Sequence, residues 1–161
     1  MGVCSFKTTS GVEPVRNAAD TQALLLRSNA RVAGFVDRQL RMGHEASLFL
    51  FPWHDIPDWA EFRVFFIGGN VVGASQATAG RVHPEIAEHE NHVRGAIISL
   101  CYLVRPLLPM PDAAVDLWIE RRNGDFEAHL IEVNPFDVGT ETGLFSAMKE
   151  DFDGTFRYEG M

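Results

Sequence analysis

The sequence is short of lysine and cysteine, carries fewer basic than acidic residues, and has no long apolar run. Lys7 and Lys149 are its only lysines, and every other basic residue is an arginine. Chemistry that needs a lysine side chain therefore has two candidates. Two cysteines, Cys4 and Cys101, make neither a disulfide framework nor a four-cysteine zinc site. Reduced thiols in a cytoplasmic protein are expected. The 14 Lys and Arg against 22 Asp and Glu leave a net charge of −8. That balance argues against general nucleic-acid binding and against a polybasic membrane-surface role. No apolar stretch approaches the roughly 18 residues of a membrane span. The start, MGVCSFKTTSG, has no basic segment leading into an apolar core, so no signal peptide is expected.

What is present is enough apolar side chain for one folding unit, with 46% hydrophobic residues in 161. Residues 3–9 read as a short strand, followed by a loop. Asn17 can cap a helix over 18–27, and a second helix runs from about 30 to 42 with Val32, Phe35, Val36 and Leu40 as its apolar stripe. SLFLFPWHDI (47–56) reads as a strand, with Pro52 suggesting an edge or a bulge. EFRVFFI (61–67) and VVGASQ (71–76) flank a short hairpin loop, Gly68-Gly69-Asn70. Pro84 opens a long helix predicted over 84–104, with Ile86, Val93, Ile97, Leu100 and Val104 on its buried side. AVDLWIE (114–120) and FEAHLIEVN (126–134) form a second hairpin around Asn123-Gly124. The end of the chain is acidic and glycine-punctuated. Too few strand–helix–strand units are present for a doubly wound sheet, so the class is α+β with an antiparallel sheet and packed helices.

The second hairpin carries the carboxylates of interest. Glu132 and Asn134 lie two apart on one strand and share a face. A two-residue Asn-Gly turn would set Asp116 against Ile131 and Val115 against Glu132, pairing apolar with polar. A three-residue loop, Asn123-Gly124-Asp125, sets Val115 against Val133, Leu117 against Ile131, Trp118 against Leu130 and Asp116 against Glu132. The hydrophobic pattern selects this second register, which brings the carboxylates together. Adjacent carboxylates repel unless a proton or cation lies between them. Oxygens from Asp116, Glu132 and Asn134 suit Mg²⁺, while a solvated polar face accounts for the same residues without an ion. On the strand 61–67, Arg63 shares a face with Glu61, and both faces are otherwise apolar. A mostly covered arginine needs an anion, either a carboxylate such as Glu61 or a phosphate held bidentately.

These segments resemble a known family. EFRVFFIGGNVVGASQ (61–76), then a helix, then VDLWIE (115–120), then HLIEVNPFDVGTETGLFS (129–146) are similar to the cell division cycle protein 123 family, a branch of the ATP-grasp superfamily. FKTTSG (6–11) resembles its lysine strand, and SLFLFPWHDI resembles the strand leading through Pro-Trp to the nucleotide hinge. The resemblance starts at the lysine strand and lacks the N-terminal region that members usually carry. It implies an ATP-grasp-like domain over 1–161, with 6–56 as a partial lysine-strand and hinge subdomain, 57–146 as the metal- and phosphate-binding subdomain and 147–161 as a tail. It further implies that Asp116, Glu132 and Asn134 hold Mg²⁺, that Arg63 faces the phosphates or an acyl-phosphate as the catalytic residue, that Lys7 contacts the α- or β-phosphate, and that Trp53 lines the adenine pocket. Two functions follow from the resemblance. One is an ATP-dependent carboxylate–amine or carboxylate–thiol ligase acting through an acylphosphate. The other is a non-catalytic, nucleotide-dependent binding module or assembly chaperone with a protein partner, like the family members that assemble a translation initiation factor.

The histidines near the long helix offer a different chemistry. His89 and His92 are three apart and could share a zinc ion, whereas Glu88 and His92 are four apart and could simply pair. Cys101 falls near the apolar stripe and reads as a core thiol, and Cys4 has no sequence partner.

Overall fold

Apolar residues alternate along 113–119, so a sheet that includes this segment buries one of its faces and turns Asp116 and Trp118 to the other. A computed structural model describes residues 14–26, 30–45, 51–146 and 151–160 of this chain. They fall in two units, Met1–Asp55 and Ile56–Met161.

In the first unit, α1 (Ala18–Leu26) and α2 (Ala30–Arg41) lie where the periodicity puts them. Asn17 caps α1: its Oδ1 accepts the Asp20 N–H at 2.9 Å. The strand expected over 3–9 lies outside the described residues, as do residues 47–50 of the strand expected over 47–56. The remainder, 51–56, has no regular structure. Pro52 removes a donor there, and none of the described strands pairs with the segment.

The second unit holds the sheet: β1 (Glu61–Ile67), β2 (Asn70–Gln76), β3 (Ala113–Arg122), β4 (Asp125–Pro135) and β5 (Phe156–Arg157), in the order β4-β3-β1-β2-β5. The class is α+β. Four strands are antiparallel as expected, but β5 runs parallel to β2. Two residues are too short to show alternation, so sequence periodicity carries no trace of this strand.

One face of the sheet is the core. Phe62, Val64, Phe66, Val115, Leu117 and Ile119 meet Val93, Ala96, Ile97 and Cys101 of α4 (Glu90–Val104). Cys101 is the expected core thiol, and burial pushes its pKa up to about 11. The helix expected over 84–104 is broken. α3 (Pro84–Glu88) and α4 are separated at His89, whose φ of −121° leaves the helical region. The break dissolves the expected Glu88–His92 pairing. His92 instead stacks on Phe126 at 5.3 Å, and the His89 Nε2 lies 3.6 Å from its neighbour Glu88.

The β3–β4 hairpin corrects the expected three-residue loop. Its tip is the two-residue turn Asn123-Gly124, with φ of 53° and 91°. From there Arg122 pairs with Asp125, Trp118 with His129 and Leu117 with Leu130. A bulge then adds one residue to β4, and Asp116 pairs with Glu132 and Val115 with Val133. Without it, Glu132 would point to the same side as Phe126 and Ala128, into the core.

The opposite face is the open one: Arg63 lies over the nearly buried Asp116 there, and aromatics close the part nearby. Phe65 contacts Phe136, Phe145 and Phe152 at ring distances of 5.3, 5.6 and 5.0 Å. Gly143 anchors this cover. Its φ is +59°, and a Cβ there would meet the Ser75 Oγ at 2.6 Å. The same Oγ accepts the Leu144 N–H at 3.0 Å. Replacing Gly143 with alanine combines a left-handed backbone with a steric clash, and is expected to lower the unfolding free energy by about 1–3 kcal/mol in urea titrations. An unchanged midpoint would mean that the Gly143 loop is not seated on Ser75.

Candidate functional site

The open face is organised by a row of directly opposed residues across four strands: Ser75 on β2, Arg63 on β1, Asp116 on β3 and Glu132 on β4. Asn134 stands one step along, opposite Ala114. The grouping of Asp116, Glu132 and Asn134 expected from the hairpin is therefore present, reached through a bulge and a tight turn.

Arg63 finds its anion in Asp116. Its Nε donates to Oδ1 at 2.6 Å and its Nη2 to Oδ2 at 2.8 Å, a parallel two-point contact. Of the two anions weighed for Arg63, the structure presents the carboxylate, supplied by Asp116 and not by Glu61. Nη1 donates to the Glu141 carbonyl at 2.9 Å. Asp116 is only 4% exposed. The bond to Asp116, with further attraction from Asp116, Glu141 and Glu132, raises the Arg63 pKa against the opposing effect of burial. The Asn134 amide donates to Asp116 Oδ2 at 3.5 Å, a long contact.

Glu132 is the uncompensated member. Burial pushes its carboxyl above the ordinary range, and the neighbouring Asp116 pushes the same way; Asn134 and Arg63 oppose them. Arg63 thus bonds the Asp116 carboxylate and the Glu141 carbonyl, and Glu132 stands on the next strand opposite Asp116. Sequence reasoning did not select Glu141. Its only signal was its place in the GTETGLFS segment, since nothing in its spacing points at Arg63.

The remaining expected residues fall elsewhere. Lys7 lies outside the described residues. Trp53 belongs to the first unit, is 46% exposed, and donates its indole N–H to Asp55 at 2.7 Å. Gln76, quoted above only as part of a motif, is a tether. Its amide holds the Thr78 and Arg81 carbonyls, and its Oε1 accepts the Glu159 N–H at 3.0 Å. Farther along the open face, Glu120, Glu127 and His129 bring ligand-type atoms within 4.8 Å of one another. Glu120 already pairs with Arg122 and lies 3.2 Å from His129, which reads as a surface ion-pair cluster.

Two outcomes follow from this geometry. Arg63→Met leaves Asp116 buried without its partner, and is expected to cost roughly 2–4 kcal/mol in denaturant titrations. A loss below about 0.5 kcal/mol would be the signature of a solvated pair. For Glu132, a carboxyl raised in the folded chain is protonated there in preference to the unfolded chain. The stability it contributes is full below the ordinary glutamate value and is lost as pH rises through the raised one. Glu132→Gln is therefore expected to flatten the decline in melting temperature over this window, and to exceed the parent chain's stability at neutral pH without divalent ions. Parallel pH profiles for the two chains would contradict the shift.

Comparison with solved structures places the fold. The chain superposes on Cdc123 from Schizosaccharomyces pombe with a TM-score of 0.65 at 21% identity, covering 88% of this chain and 60% of that one. A C-terminally truncated form of the same yeast protein gives a TM-score of 0.64 at 22% identity, covering 84% and 59%. The chain thus spans about 60% of the length of these relatives. No curated protein matches it. The D123 family model matches residues 23–151, and the chain belongs to the D123 family.

Proposed function

We propose that this chain is a Mg-nucleotide-binding module of the assembly-chaperone type, holding a protein partner in a nucleotide-dependent way in the cytoplasm. Membership of the D123 family supports the chaperone side of this reading. The observation that carries the nucleotide side is the direct opposition of two carboxylates, Asp116 and Glu132, on adjacent strands with Arg63 bonded to only one of them, an arrangement that a divalent cation would relieve.

The residues fit such an ion. Asp116, Glu132 and Asn134 offer hard oxygen donors from adjacent strands, the set Mg²⁺ prefers when phosphates and waters complete its shell. When bound, the ion would neutralise the carboxylates and draw the phosphate oxygens of ATP to this face. An ion here would favour the ionised form of Glu132, against the burial that disfavours it. Arg63 keeps Nε and Nη2 on Asp116, and its Nη1, now on a backbone carbonyl, is the donor free to turn to a phosphate. Lys7 and Trp53 would serve the phosphate and the adenine in the ATP-grasp arrangement that the resemblance implies. No helix among the described residues is long and apolar enough to cross a membrane.

Thermal melts with ATP and Mg²⁺ test the reading. At a ligand concentration about a hundred times Kd, stability is expected to rise by about 2.7 kcal/mol. Glu132→Gln and Asn134→Ala should each remove the dependence of that shift on Mg²⁺. No shift with ATP, with or without Mg²⁺, would overturn the nucleotide reading. Turnover of ATP that requires carboxylate and amine acceptors would assign the chain as a ligase in place of a chaperone.

A further inference from the structure

The face of α4 turned away from the core carries a second stripe. Arg94, Ile98, Tyr102 and Arg105 recur at helical spacing, with an arginine at each end and apolar side chains between them. Ile98 is 46% exposed and Tyr102 74%. The stripe borders a groove of about 350 Å³ between α4 and the β2–β5 edge of the sheet, floored by Cys101 and Phe156. Large apolar side chains left in water on this scale mark an interaction surface.

Charge says what kind of partner fits. In a chain of net charge −8, the groove is lined by two arginines and by no carboxylate. Arg94 makes no hydrogen bond or ion pair among the described residues, and Arg105 has only a neutral partner, the Asn70 amide oxygen at 3.0 Å. The acids next to its lining are engaged: Glu90, four residues before Arg94, accepts the Tyr158 hydroxyl at 3.0 Å, and Asp153 is held by Thr155 and Arg157. At 1.5 Å per residue, the two arginines stand about 16 Å apart along the helix. An extended segment covers that distance in about five residues.

We propose that this groove docks a short segment of a protein partner that carries an Asp or Glu at each end of an aliphatic or aromatic stretch. The carboxylates meet Arg94 and Arg105, and the apolar residues cover Ile98 and Tyr102. The groove lies on the core side of the sheet, opposite the Arg63 site, so docking does not depend on bound nucleotide. It identifies the chemistry of the partner in the chaperone reading, yet stands or falls without the metal.

Selection of peptides of about twelve residues from a random displayed library, against the whole chain, tests this. The expected winners place acidic residues on both sides of Leu, Ile or Phe. A synthetic copy of a winner should bind the parent chain and the Glu132→Gln chain equally. It should bind the Arg94→Glu/Arg105→Glu chain more than about tenfold less tightly, because opposed charges become like charges. Both positions are exposed, and unchanged melting of the double variant confirms its fold. No enrichment, enrichment of basic or uncharged peptides, or equal binding to the double variant would overturn the proposal. So would dimerisation of the chain abolished by the double variant, which assigns the groove to a second copy, or flotation with phosphatidylserine vesicles, which assigns it to a membrane.

Discussion

The two-point contact between Arg63 and Asp116 is the interaction on which the open face depends. It crosses from β1 to β3 at the centre of the sheet, where a lone charge would face heavy desolvation. By satisfying Asp116 it leaves Glu132 as the strained acid, and by directing Nη1 at Glu141 it fixes where the 136–146 segment can run. Replacing the pair with apolar side chains could give an equally stable sheet, but the face would lose its charge. Chemistry, not stability, is what the pair provides.

Everything around the pair holds it without touching it. Phe62, Val64, Leu117 and Val115 fix the strands from the core side, and strict alternation sends Arg63 and Asp116 the other way. The aromatic cluster around Phe65 covers the neighbouring part of the same face, so the charged row sits at the border of an apolar patch. Such a border sharpens electrostatic attraction for an incoming ion, since fewer waters compete.

Much of this was legible in the sequence, and the lapses have physical causes. The limits of β1 and the capping of α1 by Asn17 followed from local patterns. The pairing of Asp116 with Glu132 followed from matching Val115 to Val133. The route to it did not, because a single register was imposed on the whole hairpin. The adjacent pair Leu130-Ile131 marked the point where apolar positions change from even to odd numbers, which is how a bulge is written in one dimension. β5 and the Glu141 contact were invisible because both depend on residues far apart in the chain and on two-residue or backbone contacts without periodicity. The break at His89 was missed because the apolar stripe continues across it.

The bulge on β4 has an engineering meaning. It separates the hairpin into a tip governed by the Asn123-Gly124 turn and an inner half governed by the core. Foreign epitopes or fluorophore tags grafted at the tip should leave the charged row undisturbed, because their strain ends before residue 131. Excising Ile131, the one unpaired residue, would keep Glu132 opposite Asp116 but fuse the two halves into one regular ladder, so that strain at the tip would then run through to the charged row.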